Sequence, residues 1–192
     1  MKVTLNRTSF TQQLQTVQRA ISTKTTMPIL TGVKIDLSNK GLTLTGSNAD
    51  ISIESFLSSE DEKAQMKIES PGSIVLQARF FSEIIRRLPE NHVTLEVLDN
   101  NQVEITSGKA NFLVNGLDAE SYPHLPVVDS QQEIQLPVDM LNKLINETVF
   151  AVSQHESRPI LTGVHFTLKN SPFVSSSYRF SSAKSTYYSF RK

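Results

Sequence analysis

Pro28-Ile-Leu-Thr-Gly-Val33 returns, residue for residue, as Pro159-Ile-Leu-Thr-Gly-Val164, 131 residues further along the chain. The register holds upstream without a gap. Phe10 falls opposite Leu141, Leu14 opposite Ile145, Ala20 opposite Ala151, Ile21 opposite Val152 and Ser22 opposite Ser153. Six identical residues inside a matching apolar pattern mark a duplicated unit, so the chain is a tandem of one domain type with a period of about 130 residues. The 192 residues therefore hold one complete copy and one incomplete one.

Each copy opens on a helical pattern. Phe10, Leu14, Val17 and Ile21 fall on one apolar stripe, with Gln12, Gln15, Gln18 and Arg19 assigned to the outer face. The second copy starts near Asp139, taken as the N-cap, with Leu141, Leu144, Ile145 and Thr148 inward. Another helix runs from Ala78 to Leu88, burying Phe81, Ile84, Ile85 and Leu88 and ending at Pro89. Between the helices lie period-2 segments: Val33–Leu37, Leu42–Leu44, Ile51–Ile53, Met66–Ile68, Ile74–Leu76, Val93–Val97, Val103–Ile105 and Phe112–Val114. Asn39-Lys-Gly41 and Asp99-Asn-Asn101 supply hairpin turns. Alternation implies antiparallel sheets with one covered face, and the two helices of each unit must cover it. The fold class is α+β, strand-rich and in tandem. Tyr122-Pro-His-Leu-Pro126 reads as the linker between the copies.

Composition narrows the chemistry. With 38% hydrophobic residues and no cysteine, the chain can bury a core but has no disulfides and no thiolate sites. No apolar run reaches the roughly 18 residues of a membrane helix, and no signal-peptide pattern opens the chain. The expected setting is cytoplasmic, with no membrane partner, no cofactor and no metal. The formal net charge of zero conceals a break. Residues 1–169 carry 15 basic and 19 acidic side chains, whereas Asn170–Lys192 contains Arg179, Lys184, Arg191 and Lys192 and no acid. At the other end no acid precedes Asp36, while Lys2, Arg7, Arg19, Lys24 and Lys34 do. Local positive charge on an acidic body can face a polyanion, although five charges alone are as readily a solvated cluster.

No catalytic constellation emerges. The four histidines, His92, His124, His155 and His165, are scattered among different elements. His155-Glu156 does not begin a zinc-binding HExxH helix, because Pro159 stands where the second histidine belongs. Nucleophile-elbow and glycine-rich phosphate motifs are missing, and Asp50 with Glu54 reads as surface solvation.

Several stretches, however, resemble one family. Met1–Arg7, Lys24–Gly32, Thr45–Glu54, Gln77–Phe81, Asn115–Pro123 and Ser157–Val164 are similar to the bacterial DNA sliding clamp, the beta subunit of DNA polymerase III, in its low-GC Gram-positive form. The resemblance runs collinearly to about Val174. It implies a DNA-clamp fold in which copies of one α+β domain close into a ring around duplex DNA. Helices line the hole and sheets form the outer wall, and two subunits pair head to tail. The implied role is a processivity factor without an active site, an accessory subunit of a nucleotidyltransferase complex. Its implied partners are double-stranded DNA without sequence preference, and the replicative polymerase and clamp loader through short peptide motifs.

By the same resemblance, Lys24, Arg79, Gln154 and His155 are DNA-contacting positions. Phe112 and Val114 lie on the strand of the subunit interface, and Leu161 is one wall of the partner-peptide pocket. An alternative reading is a protein-interaction module that binds polymerase or loader without encircling DNA.

The sequence departs from the family after Phe173-Val174, where a TDSHRLS-like motif is expected and Ser175–Thr186 stands instead. Codons exist for Ser175–Thr186 that, read one nucleotide later, give Ala-Val-Ala-Thr-Asp-Ser-His-Arg-Leu-Ser. The expected organisation is thus an N-terminal clamp domain over 1–125, part of a central domain over 126–174, an out-of-frame tail over 175–192 and no C-terminal domain. On this reading the second copy keeps its first helix and strand without further strands to pair with them.

Overall fold

The computed structural model describes residues 1–22, 25–48, 50–123, 136–153, 159–171, 174–181 and 188–190, with 159–160 and everything from 166 on as backbone alone. The chain divides into two compact units, Met1–Val127 and Val128–Lys192.

The first unit contains two antiparallel sheets and two helices. Its elements run β1 (Lys2–Asn6), α1 (Arg7–Gln18), β2 (Gly32–Ser38), β3 (Gly41–Ser47), β4 (Ser52–Ser58), β5 (Lys67–Ser70), β6 (Gly72–Gln77), α2 (Ala78–Arg87), β7 (His92–Val97), β8 (Gln102–Ser107) and β9 (Ala110–Asn115). One sheet has the order β5-β1-β7-β8-β9 and the other β4-β3-β2-β6. All eight segments read from alternation are strands. The one overlooked, β1, is only five residues long, yet it buries Val3 and Leu5 completely and pairs on both sides. Asn100 and Asn101 turn the second hairpin at φ of 60° and 59°, a left-handed conformation that asparagine tolerates.

One apolar cluster joins both sheets to both helices. Phe10 and Leu14 of α1 and Phe81 and Ile85 of α2 are buried among Leu5, Ile35, Leu44, Leu76, Leu95 and Ile105. The Phe10 and Phe81 rings meet edge to face, with centroids 5.8 Å apart and planes at 69°. Asn6 caps α1 by accepting from the backbone N–H groups of Thr8 at 2.9 Å and Ser9 at 3.2 Å. A Cβ on Gly46 would lie 2.4 Å from the Val17 carbonyl oxygen, so β3 passes under the last turn of α1 only because that residue has no side chain.

A smaller cluster gathers Leu30, Val75, Ala119 and Tyr122. Tyr122 was assigned to the linker, but it is only 2% exposed and closes the first unit. Its ring finds Leu30 and Val75, positions distant in sequence, and that contact converts a Pro-flanked segment into core.

The second unit repeats the opening of the first. Helix α3 spans Val138–Val149, which is α1 displaced by 131 residues at both ends. The 3-10 turns Pro28–Thr31 and Pro159–Thr162 keep the same offset. So do the turn bonds Ala20 N–H to Val17 O and Ala151 N–H to Thr148 O. The N-cap of α3 is Pro137, whereas Asp139 was expected there. The carboxylate sits in the first turn, where the helix dipole favours it.

Beyond α3, β10 (His165–Ser171) is not the lone strand anticipated. It pairs antiparallel with β11 (Val174–Ser181), which in turn pairs with β12 (Tyr188–Phe190). Backbone pairing asks only for extended residues without prolines, and the serine-rich, aromatic-bearing stretch after Val174 supplies them.

Candidate nucleic-acid interface

Helices α1 and α2 pack side by side. Their relation is antiparallel, because each end of α1 reaches the opposite end of α2. At one end Arg7 Nη1 donates to the carbonyls of Leu88 at 2.9 Å and Arg86 at 3.2 Å. At the other, Gln18 Nε2 donates to the Ala78 carbonyl at 2.9 Å. Gln18 was read as an outward residue but is half-buried, consumed by this tie. The helix pair thus presents Gln12, Gln15 and Arg19 from α1 and Arg79, Glu83, Arg86 and Arg87 from α2. No acid occurs anywhere in α1. Among the described residues, Arg19, Arg79, Arg86 and Arg87 form no ion pair.

The early run of five cations does not form one patch. Lys2 lies on β1, bonded to Glu96 at 3.1 Å and Glu69 at 3.4 Å. The Glu96 hydrogen bond, with the charge of Glu69 behind it, holds the Lys2 ammonium above its ordinary pKa. Lys34 pairs with Asp36 at 3.1 Å and Arg7 is spent on α2. Neighbouring strands bring Glu69 and Glu96 to Lys2 from far along the chain, whereas Lys34 finds its acid two residues on along its own strand. Only Arg19 joins the helix face, and Lys24 lies outside the described residues.

Arg79, the second residue of α2, is exposed beside a groove of about 510 Å3 between the end of α1 and the start of α2. Arg86 lines the same groove about two turns on, together with Ser22 and Thr31. Sequence reasoning passed over Arg86 as merely polar. Its signal was the spacing Arg79, Glu83, Arg86, which is one helical stripe. Gln154 and His155 lie outside the described residues, as does His124.

Phe112 and Val114 separate. Both are on β9, which is an edge strand. Phe112 is 42% exposed, but Val114 is buried at 9% in the main core. The next residue on β9, Leu113, is 57% exposed and lines a small groove together with Phe80, which is 58% exposed. Neither was singled out from sequence. Leu161 is half-buried in the turn after α3, and its carbonyl accepts from Ser153 N–H at 2.9 Å. Its counterpart in the first copy, Leu30, is 1% exposed under Val75, Ala119 and Tyr122.

The other candidates do not assemble into chemistry. Asp50 precedes β4, its N–H held by Asn48 Oδ1 at 3.1 Å, so it does not share a regular strand with Glu54. A ring nitrogen of His92 bonds Gln65 Oε1 at 2.9 Å on the surface. Among the described residues no three metal-ligating side chains come together, and no helix is long and apolar enough to cross a membrane.

Comparison with known proteins gives this arrangement a family. The pattern of the DNA polymerase III beta subunit N-terminal domain matches residues 1–126, and that of the central domain matches residues 135–189. The chain is 51% identical over 175 residues to the beta sliding clamp of Bacillus subtilis, covering 91% of this chain and 46% of that protein. It is 46% identical over 164 residues to the beta sliding clamp of Streptococcus pneumoniae, covering 85% and 43%. The crystal structure of the DNA polymerase sliding clamp from Bacillus subtilis superposes with a TM-score of 0.85 at 44% identity, over 100% of this chain and 53% of that one. The beta chain from Streptococcus pneumoniae gives a TM-score of 0.85 at 39% identity, over 98% and 52%. The chain therefore spans about half the length of the relatives it matches. With both of its units matched in order and its fold superposed on solved clamps, the chain belongs to the DNA polymerase III beta subunit family.

Proposed function

We propose that this chain serves as part of a beta sliding clamp, a processivity factor that surrounds duplex DNA and tethers the replicative polymerase. It acts as an accessory subunit in the cytoplasm and has no active site of its own. The observation that carries this reading is the outward face of α1 and α2. It holds an acid-free helix beside one with three arginines, and four guanidiniums on it are unpaired among the described residues. Exposed cations and glutamines can touch phosphates without reading bases, which is what a sliding protein requires.

On this reading Arg79 contacts the DNA backbone, together with Lys24, Gln154 and His155. Phe112 and the β9 edge meet a partner subunit, and the half-buried Leu161 offers an apolar wall to a peptide from polymerase or clamp loader. Residues 1–125 act as the N-terminal clamp domain, and the chain from 126 supplies part of the central one. Fluorescence anisotropy with labelled duplexes of unrelated sequence tests the DNA contact. Equal affinities that fall steeply with salt are expected, each neutralised phosphate contributing about −0.9 to the log–log slope. Sequence-dependent affinity, or no binding even at low salt, would overturn it.

A further inference from the structure

Arg79, Glu83 and Arg86 occupy one stripe of α2 at spacings of four and three residues, and all three are exposed. They line the groove between the start of α2 and the end of α1. Among the described residues that line this groove Glu83 is the one acid, and along the α2 stripe it stands between Arg79 and Arg86. Yet it joins neither, because no ion pair involving Arg79, Glu83, Arg86 or Arg87 forms among the described residues. Nor does it cap the helix, since the first turn of α2 contains no acid. Structural roles that would explain a carboxylate here are therefore missing, and its charge remains directed at whatever approaches the arginines.

Resting on the DNA contact proposed above, we propose that Glu83 limits the grip of this face on the nucleic-acid backbone. A phosphate seated between Arg79 and Arg86 meets a fixed negative charge a few ångströms away. The repulsion weakens the seat without removing the attraction. The contact stays short-lived, and the duplex can move past. Arg86 becomes the second member of the phosphate pair, alongside Arg79. A face of arginines alone would hold one phosphate register tightly, which opposes sliding.

The test is Glu83→Gln, which keeps size and hydrogen-bonding capacity and removes the charge. In duplex anisotropy at low salt the variant is expected to bind about two- to fivefold more tightly, the scale of one unit-charge repulsion at several ångströms in water. The salt dependence should steepen. Glu83→Asp retains the charge and should restore wild-type binding, and Glu83→Gln/Arg86→Gln should lose the gain. Thermal melts check that the exposed substitution leaves the fold intact. Unchanged or weaker binding by Glu83→Gln, with wild-type protein binding normally, would overturn the role of Glu83 alone. Absence of DNA binding by every variant and by the wild type would instead overturn the DNA contact on which it rests.

Discussion

The guanidinium of Arg7, the first residue of α1, donates to the carbonyl of Leu88 just past the last residue of α2, at 2.9 Å. The four terminal carbonyls of a helix lack intrahelical partners and carry the negative end of its dipole, so the half-buried Arg7 cation satisfies both needs. At the other end Gln18 donates to the carbonyl of Ala78, the first residue of α2, so α1 side chains bonded to the backbone of α2 tie the two helices together at both ends.

Arg7→Met should therefore lower stability by about 1.5–3 kcal/mol, the usual worth of hydrogen bonds to a charged group, and Gln18→Met by about 1 kcal/mol. Urea denaturation followed by circular dichroism measures both. An Arg7→Met loss no larger than that of an exposed arginine such as Arg87 would show that the contact is not holding the helices.

The edge-to-face pair of Phe10 and Phe81 sits where the two helices and both sheets share a core. Truncating either ring to alanine should cost about 3–5 kcal/mol. The double-mutant cycle with leucine at both positions should return a coupling of about 0.5–1.5 kcal/mol. A coupling of zero would mean that the rings contribute through burial only.

Gly46 lets β3 pass beneath the Val17 carbonyl. Because the obstructing atom belongs to helix backbone and not to a mobile side chain, Gly46→Ala should destabilise by about 1–3 kcal/mol, the range for overpacking. A melting temperature equal to that of the wild type would contradict the close approach.

Alkaline pH should weaken the first unit through two groups. The Glu96 hydrogen bond and the charge of Glu69 raise Lys2 above 10.5, and burial raises the Tyr122 phenol above 10.0, with a backbone group of Ser47 pulling the other way. In both cases the folded state holds its proton more tightly than the unfolded one. The stabilisation is fully present below the unfolded pKa and disappears as pH climbs through the folded value. Stability should thus decline above about pH 10, and Tyr122→Phe should flatten the decline. Chemical denaturation between pH 9 and 12 would reveal a parallel loss in the variant if Tyr122 is not responsible.

The composition break at Val174 makes a prediction about the gene. Nucleotide sequence from the His165 codon onward should show, one base out of frame, a continuation reading close to Thr-Asp-Ser-His-Arg-Leu-Ser. Finding no such frame would make the acid-free, serine-rich stretch an authentic part of the protein.

Much of this architecture was legible without coordinates. The PILTGV repeat fixed the tandem, and its offset survives at both ends of α1 and α3 because helix limits depend on local capping and apolar spacing. Alternation located eight strands for the same reason, since each side chain's face follows from its position in the strand. Sequence motifs also carried the family resemblance, which the comparisons bear out.

Tertiary structure alone decided the rest. Whether a polar residue is outward or engaged depends on what the fold brings beside it. Gln18 met the Ala78 carbonyl, Lys2 met Glu69 and Glu96, and Arg7 met the end of α2; with Lys34 paired along its own strand, Arg19 is the only described member of the early cationic run on the helix face. Tyr122 became core because Leu30 from a 3-10 turn and Val75 from β6 come to it from distant parts of the chain. Val114 is buried while Phe112 stays 42% exposed although both project to the same face of β9, because what covers that face changes along an edge strand. Periodicity records which residues share a face. Only contacts between residues far apart in sequence determine what that face meets.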